Sequence, residues 1–533
     1  DAMADGGLHP VAEGRSSDIT DDGVVEKPSD TRRHSVLLST DKLFFKVFLP
    51  FELGGGFVTV AVGLQATVDE LKQQVFQKAA LRLLDHEHTH DADGYLLKVC
   101  KSGVLLFVGE ASVSAYAQAG DRVAMSLVAA ASEERRLRVL RDGVRTAVYS
   151  WGDNDSGQLA VSLPSPRTLI PTEISELRGI GVISVAAGCY TAAAITAGGE
   201  LYMWGQGVEQ HTHGPPKKEP GEERPRPTHG PWRLAALNKV VTSVACGAFH
   251  TLATTDNGSL YAWGNGECGQ LGLGRMVKKQ IGPWRLHTLR NDVVVSIACG
   301  NLHSLAVTDS GGVFAWGTNE VGQLGLETSQ AQVFVPERVH LPSGSDVHAP
   351  EATFVNCGFE HSACITRKGL LFVWGGNAYG QLGLGDRTDR HAPAQLVGLP
   401  RVRSVSCGVN HSAVVTVDGE FRAFGNGASC KLGTGNDADS DHPVVPALAT
   451  LTKDMGMFRV VKAQTGNSYS TALAVGQDDQ GDHRDFVIVM GSVALPPSAQ
   501  GETMVAPTVT DLGGRRIVDI AAGFSHHLAA VEL

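Results

Sequence analysis

Cys246 and His250 stand four residues apart in SVACGAFHTLATTDNGSLYAWGNGECGQLGLG, residues 243–274. That spacing offers a metal ion one thiolate and one imidazole. The glycines flanking Trp263 in the same stretch offer the backbone N–H groups of a phosphate-binding loop. Two further histidine groups, His86, His88 and His90, then His211, His213 and His229, are metal candidates by composition alone.

A metal or phosphate site needs a few such groups converging on one point, and the chain instead repeats them. An aromatic residue or its substitute followed by Gly returns at Trp151, Trp204, Trp263, Trp316, Trp374, Phe424 and Met490, at intervals of about 50 to 66 residues. Its partner element, Gly-x-x-His or a variant, starts at Gly188, Gly247, Gly300, Gly358, Gly408, Gly466 and Gly523. His250, His303, His361, His411 and His526 share one repeat position, taken elsewhere by Thr191 and Tyr469; Cys246, Cys299, Cys357 and Cys407 share another. A ring of repeats holds equivalent positions apart and here tolerates Thr and Tyr among them. The spacing therefore predicts buried histidines hydrogen-bonding backbone between strands, and no zinc. Trp151, Trp204, Trp263, Trp316 and Trp374 read as repeat core, and the glycines read as positive-φ turns or close strand packing. Without a GxxxxGK[ST] loop, no catalytic, cofactor-binding or metal residue is assigned.

The elements that carry these residues are short strands. Small and apolar residues alternate on either side of each histidine, DNG at 256–258 and DSG at 309–311 supply hairpin turns, and GQLG follows the Trp-Gly strand. Four strands per unit around an axis predict a propeller, which leaves only short sheet edges. The array opens with a Trp-Gly strand that has no Gly-x-x-His before it and ends with GFSHHLAAVEL, which has no Trp-Gly after it. The two ends are expected to complete one composite seventh blade.

ACGAFHTLATTDNGSLYAWGNGECGQLGLG, ACGNLHSLAVTDSGGVFAWGTNEVGQLGLE and NCGFEHSACITRKGLLFVWGGNAYGQLGLGD resemble repeats of the regulator of chromosome condensation family. The resemblance covers residues 147–533 and implies a seven-bladed β-propeller. It also implies, from the family's founding member, nucleotide exchange on a Ran-like GTPase through one face and a wedge after the third Trp-Gly element. Here that element, Trp263, runs on uninterrupted, and the large insertion comes one repeat earlier, after Trp204. Plant ultraviolet receptors of the same fold rely on clustered surface Trp, whereas Trp232 and Trp284, each in GPWRL, read as packing anchors.

Ahead of the repeats, residues 1–33 are acidic and poor in apolar residues, the composition of a disordered tail. Residues 34–130 read as strand, strand, helix, strand, strand, strand. KLFFKVFL and GFVTVAVGL are the first two strands, TVDE from Thr67 is a capping box, and YLLKV, VLLFV and RVAMSLV follow. TVDELKQQVFQKA with GYLLKV is similar to the Ras-binding domain of phosphoinositide 3-kinases, which implies a small α+β ubiquitin-like (β-grasp) domain. By that resemblance Lys42, Lys46, Lys72, Lys78 and Arg82 form a basic GTPase-facing set. Residues 131–146 are a charged linker and 147–533 the propeller.

A net charge of −11 argues against a phosphate backbone as partner, so nucleic acid and chromatin are not expected. Apolar runs of about 18 residues, an apolar signal core and an Arg-rich amphipathic leader are all missing, and nine Cys are spread along the chain. These features fit free thiols in an intracellular, cytoplasmic protein, with the nucleus or cytoskeleton as further settings. The Pro-rich, charged insertion after Trp204 is the expected partner-binding loop, through Gln210, His211, His213, Lys217, Lys218, Glu222, Glu223, Arg224 and Arg226. The sequence reads as a non-catalytic protein-interaction scaffold without cofactors. Its expected partners are a Ras-superfamily GTPase or a cytoskeletal or organelle assembly; the alternative is an exchange factor for a Ran-like or other small GTPase.

Overall fold

The computed structural model describes residues 143–533 apart from 162–165, 207–229, 344–348, 447–456, 478–482, 492–507 and 511, together with five strands before residue 143. Those five strands form one sheet in the order Phe57–Gly63, Lys42–Phe48, Ala124–Ala129, Tyr95–Val99, Leu105–Leu106. Lys42–Phe48 and Ala124–Ala129 run parallel, with Lys46 opposite Ala124. The acidic tail, the helix expected from Thr67 and the 131–142 part of the linker lie outside the described residues.

Seven four-stranded sheets follow. The second is typical: Val241–Cys246, His250–Thr255, Leu260–Asn265 and Lys279–Arg285 form an antiparallel meander, inner strand to outer. We number the blades by their inner strands: Val182–Ala187, Val241–Cys246, Val294–Cys299, Ala352–Cys357, Val402–Cys407, Met457–Thr465 and Ile517–Ala522 for blades 1 to 7. Blade 7 is composite. Its strands Ile517–Ala522 and His526–Glu532 continue into Thr146–Asp153 and Arg167–Glu173, with His526 opposite Gly152 and Glu532 opposite Thr146.

Hydrogen bonds tie the blades around the axis. At most joints the residue after the repeat glycine donates its N–H to the glycine carbonyl of the next blade, as Cys189 does to Gly247 (3.3 Å) and Phe359 to Gly408 (3.0 Å), while Asn467 donates to the Phe524 carbonyl (3.0 Å). Phe524 closes the circle on Gly188 at 3.1 Å. Glycine is required there because a Cβ on Gly300 would lie 2.3 Å from the His303 ring and 2.6 Å from the Gly358 carbonyl.

The outer strands share a feature that periodicity alone did not reveal. Opposite each of Trp151, Trp263, Trp316, Trp374 and Phe424 the outer strand bulges by three residues against one, and each bulge ends in proline: Pro171, Pro283, Pro336, Pro393 and Pro443. This bulge also corrects one reading. Trp232 packs beside the core of blades 1 and 2, but Trp284, the residue after Pro283 on an outer strand, is 54% exposed and anchors no packing there.

Candidate functional site

The residues with chemical potential meet at the blade joints. His250 Nε2 lies 2.8 Å from Ser304 Oγ in the next blade, and His303, His361 and His411 repeat this with Ser362, Ser412 and Ser470 at 3.0, 2.9 and 3.0 Å. Each serine hydroxyl donates onward to a carbonyl, of Gln270, Gln323, Gln381 or Lys431, at 2.7–2.8 Å. With its proton spent in that way, the serine oxygen accepts from the imidazole, which fixes the Nε2–H tautomer. The same glutamine carbonyls take a tryptophan N–H: Trp316 Nε1 donates to Gln270 O at 2.8 Å and Trp374 Nε1 to Gln323 O at 2.9 Å. The histidine partner is thus a serine side chain, not the backbone that the repeat pattern suggested. A backbone acceptor stands one step further on.

Burial sets the protonation of these groups. It lowers His250 and His361 to about 3 and His303 and His526 to about 4, and drives His411 well below the usual value. The imidazoles are neutral. Cys246, Cys299, Cys357 and Cys407 line one end of the central channel, in a cavity of about 100 Å³ with Cys189. Burial pushes Cys246 and Cys407 to about 12 and Cys299 and Cys357 well above the usual value, so they are protonated thiols and poor nucleophiles. Among the described residues no group of three or more His, Cys, Asp or Glu is placed to hold a metal.

The relay lapses where the sequence breaks the repeat. His526 faces blade 1, where Ala192 stands at the serine position, and neither ring nitrogen of His526 has a partner among the described residues. Tyr469 replaces histidine in blade 6 and donates its hydroxyl to the Gly523 carbonyl at 2.7 Å. His527, at the serine position of blade 7, instead stacks on Trp151 at 5.0 Å, and Thr471 Oγ1 is 3.1 Å from its Nδ1. Trp263 Nε1 also lacks a described partner, and the loop that would supply its carbonyl falls in 207–229. Ala192→Ser should restore the missing link from His526 through a hydroxyl to the Gln158 carbonyl, which already accepts Trp204 Nε1 at 2.9 Å. We expect a gain of about 0.5–1.5 kcal/mol, read as a higher melting temperature. A lower one would mean that the joint has no room for the hydroxyl.

Lys431 marks a second departure, standing where other blades have glutamine. Elsewhere the glutamine side chain accepts a turn N–H, as Gln270 Oε1 does from Cys268 N at 2.9 Å. Lysine has no acceptor, and in its turn Ser429 and Cys430 take positive φ of 62° and 56°. The ammonium reaches Asn467 O at 3.2 Å, and burial lowers it to about 8 from 10.5. Below pH 8 the fold carries a buried charge that the unfolded chain solvates. From pH 8 to 10.5 the unfolded chain holds more protons, so stability rises with pH. Lys431→Gln should therefore stabilise by roughly 1–3 kcal/mol at pH 7, a gain that fades by pH 10.5; denaturant titration at both pH values checks this.

The sequence-nominated partner residues fall elsewhere. Gln210, His211, His213, Lys217, Lys218, Glu222, Glu223, Arg224 and Arg226, and likewise Lys72, Lys78, Arg82 and the His86–His90 group, lie outside the described residues. Lys42 and Lys46 are on the strand Lys42–Phe48. What repeat reading missed were the serines and the glutamine carbonyls. The signals were the residue after each histidine and the Gln of GQLG.

A ring of seven meander sheets, closed by strands from both ends of the array, defines a seven-bladed β-propeller protein. Residues 147–529 match the model of the RCC1-like domain, and the chain belongs to that family. It is 34% identical over 253 residues to the ultraviolet-B receptor UVR8 of Arabidopsis thaliana, covering 47% of this chain and 54% of that protein. It is also 34% identical over 255 residues to the human E3 ubiquitin-protein ligase HERC2, covering 47% of this chain and 5% of that one. The chain thus spans about half or less of the length of these curated relatives. Yeast RCC1 (Prp20), solved bound to Kap60, shares the fold with a TM-score of 0.58 at 19% identity, over 75% of this chain and 92% of that one.

Proposed function

We propose that this chain is a non-catalytic protein-interaction scaffold in which the propeller holds docking surfaces rigid. The observation that carries the reading is the use of the reactive side chains: His250, His303, His361 and His411 with their serines, and Trp204, Trp316 and Trp374, are engaged in joints between blades, and the channel thiols are held protonated. Variation is left to loops and faces, where binding elements sit on rigid scaffolds. Relatives of the fold support protein partners. Prp20 was solved with Kap60, and Prp20p of Saccharomyces cerevisiae was described with its binding to Gsp1p and histones. The Gsp1p likeness is also what favours the second reading, exchange on a Ran-like or other small GTPase.

Residues 34–130 are read as a ubiquitin-like domain resembling Ras-binding domains. The sheet order, with its first and last strands parallel and central, supports this. The basic set around Lys42 and Lys46, and the insertion from Gln210 to Arg226, are its proposed partner contacts. The test is release of a fluorescent guanine nucleotide from a panel of Ras-superfamily GTPases, Ran included, with binding recorded in parallel. Binding without acceleration is the expected result for a scaffold. Acceleration of any member would replace that reading with exchange.

A further inference from the structure

In every blade the two residues between the repeat glycine and the histidine position cross the same end of the channel. The second of them is tied by its carbonyl to the strand end that carries Trp-Gly. Phe249 O accepts from Asn265 N at 2.8 Å, Leu302 O from Thr318 N at 2.9 Å, Tyr190 O from Gln206 N at 2.9 Å and Ser525 O from Asp153 N at 2.9 Å. These bonds hold two sets of side chains on one face. The first set, an apolar crescent, draws on both positions: Tyr190, Phe249 and Leu302 at the tied second position in blades 1, 2 and 3, and Phe359 and Phe524 at the first position, which lines the channel cavity, in blades 4 and 7. Tyr190 and Phe249 pair at 5.8 Å between ring centroids, yet remain 37% and 51% exposed. Large aromatics left paired in solvent beside a ring of partly buried ones are the anchors an interface uses.

The second set is acidic. Two residues beyond the tied N–H groups stand Asp155, Glu267 and Glu320, at one repeat position in blades 7, 2 and 3, and Glu360 takes in blade 4 the tied second position that Tyr190, Phe249 and Leu302 hold in blades 1 to 3. All four are exposed, and none has an ion pair with a described residue. Other carboxylates of these loops do have partners, as Asp386 has Arg390 at 2.6 Å and Asp153 has Arg167 at 2.6 Å. An apolar centre with unpaired carboxylates at its rim calls for the opposite charge around an apolar anchor.

We propose that this channel-mouth face docks a protein segment that alternates apolar anchors with Lys or Arg. The inference rests on the scaffold reading and names the chemistry of one partner. Apolar side chains of the segment cover Tyr190, Phe249 and Leu302, while its cations meet Asp155, Glu267, Glu320 and Glu360.

The test uses the full chain and three fluorescein-labelled peptides of equal length, one alternating Leu and Lys, one Leu and Glu, and one Gly and Lys. Anisotropy should show binding of the Leu-Lys peptide only. A Glu267→Lys and Glu320→Lys double variant, and separately Phe249→Ser, should each weaken it about tenfold or more. A control with Asp418→Lys and Glu176→Lys, exposed carboxylates on turns at the other end of the blades, should not. All these sites are exposed, and thermal melts verify folding. Equal binding of the Gly-Lys peptide, or equal loss in the control, would reduce the effect to bulk charge and overturn the proposal. No peptide binding, with a GTPase still bound, would overturn the crescent and leave the scaffold standing.

Discussion

Lowering the pH from 7 to 5 should unfold the propeller in a cooperative transition that takes up about six protons. The groups responsible are His250, His303, His361, His411, His526 and His527, all buried and all shifted down by burial from 6.5. A base whose folded value lies below its unfolded one binds its proton in the unfolded chain first. Its contribution is whole above 6.5 and falls as pH drops toward the folded value near 3 or 4. At pH 5 each histidine has withdrawn about 2 kcal/mol, and six together roughly 12 kcal/mol, comparable with the whole stability of an ordinary domain. Potentiometric proton uptake recorded alongside near-ultraviolet circular dichroism checks both numbers, and His361→Gln should reduce the uptake by about one. A native near-ultraviolet spectrum retained at pH 4 would show that the joints absorb imidazolium, which nothing in their geometry provides for.

Deleting Thr146–Asp153 is the second large effect. This strand supplies Ala147, Val148 and Trp151 to the core, and every residue of it from Thr146 to Gly152 is paired with the final strand from Glu532 back to His526. Its loss leaves blade 7 with two strands, uncovers the His527 ring that stacks on Trp151, and removes the third strand from between the final strand and Arg167–Glu173. Trp151→Ala alone should cost about 3–5 kcal/mol, and the deletion should abolish a single cooperative melt. Calorimetry of the two variants checks this. An unchanged melting transition in the deletion would mean that the other six blades hold the ring without its closure.

The blades were legible because their signal is written seven times. The Gly-x-x-His and Trp-Gly pairs marked the second and third strands, and the mismatch between Tyr149–Gly152 and GFSHHLAAVEL pointed to a composite blade that the pairing of His526 with Gly152 shows. What each residue touches was less legible. Ser304 serves the histidine of the blade before it, 54 residues back, and a repeat read within itself cannot show a partner that is always in the next copy. The channel-mouth crescent was hidden for a related reason. Tyr190, Phe249 and Leu302 occupy a position where other repeats carry Glu, Asn or Ser, so it looked like an unconstrained spacer. Only the packing of successive blades sets them side by side.

The proline that ends each outer bulge has a consequence for how these molecules meet in a crowded solution. An outer strand has one free flank, and an incoming β-segment would extend the sheet along it. Proline offers no N–H to such a segment, and three residues set against one destroy the even spacing that it would have to match. On those five blades the outer edge is thereby a poor template for strand-by-strand polymerisation even though Ile170, Ile281 and Val335 stand exposed along it. Five blades each carry their own stop against fibre growth along the outer edge.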